Sequence, residues 1–208
     1  MEKTIDSVYN KIHLIDSDVV LLKEKEVIQW LFGDTSFLLS EKKVNKKVNK
    51  KALKKREDSW GKEMLQLVYP DFNSTQWTGP FGERIVNELY KLIGKSISKP
   101  KNKNGFEPDF ETDDFIIEVK SQTYYTDGTA GEKILGSPLK YADVPELYSK
   151  PLNIICIGNA EKMCKEHYKI IGPTTRAKQK ILSTYEEIGI IFIGITELLT
   201  EIKSEVGI

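Results

Sequence analysis

The sequence predicts an α/β fold, a mixed central β-sheet flanked by helices and preceded by a mainly helical portion. Three observations predict it. Short β-branched runs of strand length recur at Asp114-Phe-Ile-Ile-Glu-Val-Lys-Ser, Leu152-Asn-Ile-Ile-Cys-Ile-Gly and Ile190-Ile-Phe-Ile-Gly. Amphipathic helical patterns lie between them, and the chain before residue 80 carries apolar residues at helical spacing. With 208 residues the chain can bury one substantial core, so it reads as a single domain over 1–208, helical in 1–80 and α/β in 81–208.

The elements follow in chain order. Ile5, Val8, Tyr9 and Ile12 form one helical stripe and Val27, Trp30 and Leu31 another, which predicts helices capping the core. The segment 42–56 holds nine basic residues and no acidic one, and its four-residue pattern keeps Val44, Val48 and Ala52 on one helical stripe. Helical spacing continues through Trp60, Met64, Leu67 and Val68 until Pro70 stops it. A Gly/Pro-rich stretch, Thr78-Gly-Pro-Phe-Gly, reads as a loop feeding a helix that buries Ile85, Val86, Leu89 and Tyr90. Ser96-Ile97-Ser98 is expected to form the first strand, Gly105 to Phe110 a second, and Glu111 to Asp114 a tight connection into the third. Beyond it the sequence predicts helices over 132–141, 161–168 and 174–187, alternating with the buried strands at 152 and 190.

The chemistry concentrates between Pro108 and Gln122. Side chains alternate along a strand, so Glu118 and Lys120 share a face, Gln122 continues it, and a hairpin sets Asp109 beside Glu118. Two close carboxylates repel unless a hard cation lies between them, and an oxygen-rich site with few protein ligands suits Mg²⁺. Lys120 adds a positive charge for an attacking water or a developing phosphorane, and Gln122 can position water or phosphate.

Pro108, Asp109, Glu118 and Lys120 resemble the PD-(D/E)XK nuclease superfamily, whose signature is Pro-Asp, a variable gap, then Asp or Glu, any residue, and Lys. The predicted element order from Phe81 is similar too, over about two thirds of the chain; the first eighty residues carry no such likeness. The resemblance implies a restriction-endonuclease-like core and Mg²⁺-dependent cleavage of double-stranded DNA, with Mn²⁺ able to substitute. Within the superfamily the size and one-domain layout are similar to type II restriction endonucleases, which implies a homodimer leaving a 5′-phosphate and a 3′-hydroxyl. It also implies an acidic residue on the helix before the first strand, for which Glu83 is the first choice and Glu88 the second. Asp109 and Glu118 would then bind metal with Glu83 assisting. A repair or junction-resolving endonuclease, a non-catalytic DNA-binding protein of the same fold, and a chance match in an unrelated α/β protein stay open.

Basic and acidic residues balance at 31 each, yet outside 42–56 the count is 22 basic against 31 acidic, so the molecule is polarised. Lys46, Lys50 and Lys54 in the basic segment are candidate phosphate contacts, salt-dependent and sequence-independent. Thr129 and Lys133, in and after the glycine-bearing loop at 124–133, are further candidates. Asn102, Lys103, Asn104, Thr78 and Arg176 are polar residues in loops suited to base contact, Asn104 foremost. Neither a membrane-spanning run nor a signal peptide is found, which predicts a cytosolic protein without membrane contact. Two cysteines and two histidines, with His167 read as a surface helix residue, give neither a disulfide framework nor a zinc site.

Overall fold

The computed structural model describes residues 2–15, 17–39, 49–126 and 130–205. Four helices come first: α1 (Glu2–Leu14), α2 (Lys25–Leu31), α3 (Lys50–Gln66) and α4 (Thr78–Leu92). Strands β1 (Phe110–Glu111) and β2 (Ile116–Gln122) follow, then three short helices α5 (Ala130–Leu135), α6 (Ser137–Lys140) and α7 (Val144–Tyr148). Next come β3 (Leu152–Gly158), α8 (Asn159–Lys162) with a wide π-turn at Met163–His167, α9 (Arg176–Glu187), β4 (Ile190–Gly194) and α10 (Ile195–Glu205).

The sheet is mixed, in the order β1-β2-β3-β4, with β1 antiparallel to β2 and the other pairs parallel. The expected α/β architecture is therefore present. Alternation along β2 divides the core in two. Ile117 and Val119 face the larger cluster, built with Ile155 and Ile157 against Ile5, Val8, Ile12, Val27, Trp30, Leu31, Phe81 and Ile85. Ile116 faces the other side, packing with Leu152, Ile154, Cys156, Tyr141 and Val144. The N-terminal helices cap the core as the stripes predicted. β3 is buried along its whole length, which explains its unbroken apolar run.

Several expectations need correction. Ser96-Ile97-Ser98 is no strand: Ser98 alone bridges Glu111, and Pro100, lacking an amide hydrogen, cannot extend a ladder. The strand expected from Gly105 shrinks to Phe110–Glu111, because Asn104 and Gly105 take left-handed φ of 53° and 85° in a turn closed by Lys103 and Phe106. The single helix expected over 132–141 breaks into two at Gly136, followed by Pro138. The Gly/Pro stretch before Phe81 is already helical, since α4 begins at Thr78 and Pro80 falls in its first turn. Helix α10, from Ile195, was not anticipated. The helix drawn through the basic segment starts at Lys50, capped by the Asn49 side chain, and residues 42–48 lie outside the described residues.

Candidate active site

The site is built on the edge of β2. Pairing of Phe110 with Ile117 and Glu111 with Ile116 puts Asp109, one residue earlier, across from Glu118. Thr112 makes this turn: its hydroxyl oxygen accepts from the amides of Asp114 and Phe115 at 3.2 and 3.0 Å. Because β1 is only two residues long, β2 has no described strand beside it beyond Ile117 on that edge. Asp109 takes the vacated place, its Oδ2 accepting from the Val119 amide at 2.7 Å. Helix α4 packs closely on the face of β2 that carries Ile117, Val119 and Ser121. Gly82 permits this, since a β-carbon there would come within 2.8 Å of Ser121 Oγ, whose hydrogen goes to the Thr78 carbonyl.

Glu118 is 4% exposed. Its Oε1 accepts from the Tyr141 hydroxyl at 2.8 Å and from the Lys120 ammonium, while Oε2 is buried with no hydrogen-bond partner. Burial, then the Glu118 and Glu83 charges, push the Asp109 carboxyl up to about 7 despite the Val119 amide and Lys120. Glu83 is raised chiefly by burial and secondarily by Glu118, with Lys99 and Lys120 opposing. These couplings bring Asp109, Glu118, Lys120 and Glu83 into one electrostatic unit.

Glu88, the alternative acid on α4, does something else. It is fully buried, accepting from the Val20 and Leu22 amides at 3.1 and 2.9 Å and from Arg84 Nε at 2.7 Å. It fastens the chain before α2 to α4. The two acids should separate in mutagenesis: Glu88→Ala, which strands three partners, should lower stability by about 2–4 kcal/mol in a denaturant titration. Glu83→Gln should leave the transition midpoint nearly unchanged and weaken divalent-cation binding, measured by calorimetry.

Gln122 keeps the parity of Glu118 and Lys120 but ends in an adjoining groove of about 600 Å³ beyond the strand. Lys54, Thr78 and Lys133 also line this groove, and the buried Gln122 Oε1 lacks a partner. Lys54 is paired with Asp58 at 2.6 Å. Lys50 opens α3 and is exposed. Asn104 occupies the exposed turn, stapled by Asn102, whose side chain bonds Glu107 and the Gly105 amide. Lys103 donates to the Leu147 carbonyl and lies 4.5 Å from the Tyr148 ring. Arg176 is exposed at the start of α9, and His167 is exposed in the π-turn. Lys46 and Thr129 lie outside the described residues.

Sequence reasoning missed Tyr141, Lys140 and Lys99. Lys140 donates to the Tyr141 hydroxyl at 2.8 Å and stands 4.4 Å over its ring, with Lys120 at 5.7 Å. Burial and the Glu118 charge hold the Tyr141 hydroxyl far above its ordinary range, so it stays a donor. The free cysteines Cys156 and Cys164 are buried with sulfurs 3.7 Å apart.

Among the described residues no three acidic, histidine or cysteine side chains already converge on one metal position. Lys120 sits on Glu118 as its counter-ion. The donor set nonetheless fits a hard divalent cation: Glu118 has a buried carboxylate oxygen without a partner, the Asp109 carboxyl across from it is raised by burial and by neighbouring acids, and positive charge relieves both conditions. Comparison with protein-family models, with curated proteins and with solved structures returns no match. No helix among the described residues is long and apolar enough to cross a membrane.

Proposed function

We propose that the chain is a Mg²⁺-dependent endonuclease hydrolysing phosphodiester bonds of double-stranded DNA on a restriction-endonuclease-like core, in the manner of a type II restriction endonuclease. The observation that carries this is Asp109 facing Glu118 across an antiparallel pair, with Lys120 beside them and one Glu118 oxygen unpartnered. Asp109 and Glu118 would hold the cation, with Glu83 the third acid. When bound, Mg²⁺ supplies positive charge that polarises a phosphoryl oxygen. Lys120 offers its ammonium to the attacking water or to charge developing on the phosphate. Tyr141 fixes Glu118 by donating to Oε1. Asp109 must release its proton before it can act as a ligand, so divalent-cation binding should weaken as pH falls below about 7. Lys54, Lys133 and Gln122 line the groove that adjoins the end of β2 next to Lys120, and suit flanking backbone contacts.

Incubating plasmid or phage DNA with the protein and Mg²⁺ tests the reading. Discrete fragments are expected from the wild type, with Lys120→Ala and Asp109→Ala losing at least about a hundred- to thousandfold in rate. Intact DNA across a range of salt, and with Mn²⁺ in place of Mg²⁺, would overturn it. The direct Lys120–Glu118 pair favours one other reading, a non-catalytic DNA-binding protein of this fold. That protein would retain DNA in a salt-dependent manner and never cut it.

A further inference from the structure

The groove at the end of β2 is built around an acceptor that the described residues leave unsatisfied. Gln122 is 8% exposed, and its Oε1 has no hydrogen-bond partner among the described residues. Buried amide oxygens are ordinarily paired, because an unpaired one keeps the full cost of its lost hydration. Gln122, Thr123 and Trp77 are buried and form the inner wall of the groove, whereas Ser74, Thr75 and Lys133 are exposed at its mouth. Its volume of about 600 Å³ lies in the range of sites that enclose a small organic ligand.

The lining narrows the chemistry that would satisfy this oxygen. Asp58 lines the groove as well, and its carboxylate, held by the Lys54 ammonium and by the Trp77 indole at 3.0 Å, is a second acceptor there. Lys133 at the mouth suits a phosphate oxygen. Gln122 Oε1 does not, since a phosphodiester carries no hydrogen to give. In DNA the N–H donors sit on the bases, and each base has at least one on its Watson–Crick edge. Pairing commits those hydrogens in a duplex, and a base turned out of the stack presents them.

Given the nuclease reading, on which the choice of DNA as ligand rests, we propose that this groove receives one unpaired nucleobase, which gives a hydrogen to Gln122 Oε1 while its phosphate lies toward Lys133. Gln122 follows Lys120 by two residues on β2, so the base belongs to a nucleotide close to the one being cut.

Fluorescence anisotropy on the full chain in EDTA, where no divalent cation permits cleavage, tests the groove. The probes are a labelled single-stranded thymidine oligomer and an abasic tetrahydrofuran oligomer of the same length and charge. The wild type is expected to bind the thymidine oligomer at least about tenfold more tightly. Gln122→Leu should lose that preference while remaining folded by circular dichroism, because it removes a buried oxygen that the free protein does not satisfy. Gly79→Leu is the second variant: a β-carbon there meets open space, so the side chain narrows the groove without disturbing its walls, and the preference should fall again. Equal affinity of the wild type for the two oligomers, or a preference that survives in both folded variants, would overturn the proposal. Plasmid cleavage with Mg²⁺ is scored in parallel. Cleavage without a base preference would sink the groove alone, and a Gln122-dependent preference without cleavage would uphold the groove and sink the nuclease reading.

Discussion

Asp109→Asn should abolish Mg²⁺-dependent cleavage while making the protein more stable above neutral pH. In the native state this carboxyl is pushed up to about 7, mainly by burial and then by Glu118 and Glu83, so between the ordinary aspartate range and 7 the folded protein holds a proton that the unfolded chain has lost. Stability attached to Asp109 therefore falls as pH rises through that window, and above 7 folding carries the cost of a buried charge beside two other acids. The shift corresponds to at most ~4 kcal/mol. Solvent at the open edge of β2 reduces this to about 1–2 kcal/mol. Asparagine retains an oxygen for the Val119 amide and removes the charge. Melting curves of wild type and Asp109→Asn at pH 5 and pH 8 should accordingly diverge at the higher pH, by a few degrees for a chain of this size. Mg²⁺ should narrow that gap by raising the wild-type midpoint at pH 8, with little effect on the variant. Equal midpoints at both pH values, with or without Mg²⁺, would show that Asp109 is an ordinary solvated acid and remove the electrostatic basis of the site.

The juxtaposition of Asp109, Glu118 and Lys120 was legible in the sequence because it needs only the two-residue period of a strand and a turn short enough to close a hairpin. β3 and β4 were legible for the same reason: their β-branched runs are long enough to admit one reading. Glu83 required more, since two acids on one helix satisfy the same pattern. Only the packed structure shows that Glu88 is consumed by the Val20 and Leu22 amides while Glu83 is coupled to Glu118. Tyr141 could not have been found. It lies 21 residues beyond Lys120 in a connection broken at Gly136 and Pro138, and its hydrogen bond to Glu118 depends on how that connection folds back over β2. Ser98 misled in the other direction, where residues of strand-forming type form one bridge and Pro100 ends it.

Glu57 carries the largest stability effect expected from a single substitution, and it joins the first sixty residues to the site. Fully buried on α3, it accepts from Trp30 Nε1 at 2.8 Å and from the Tyr124 and Tyr125 amides at 2.9 and 3.2 Å, immediately after β2. Burial raises its carboxyl above the usual range, an opposing cost that these three donors offset in part. All three indoles of the aromatic core follow the same rule: Trp60 donates to Glu26 and Trp77 to Asp58, so each ring is fixed by a carboxylate as well as by its neighbours. Glu57→Ala would leave the buried Trp30 indole and two half-buried amides without an acceptor and open a void beside Trp30, at a cost of about 3–5 kcal/mol. Against a domain stability of roughly 5–15 kcal/mol this approaches global unfolding at 37 °C. Glu57→Gln keeps one acceptor oxygen for Trp30 and should lose less, about 1–3 kcal/mol. Denaturant titrations followed by tryptophan fluorescence measure both. Because Tyr124 and Tyr125 lead out of the strand that carries Glu118, Lys120 and Gln122, the glutamine variant should also show faster amide exchange at 123–126 than across β3. Uniform exchange rates in the two segments would mean that the N-terminal helices stabilise the core without positioning the end of β2.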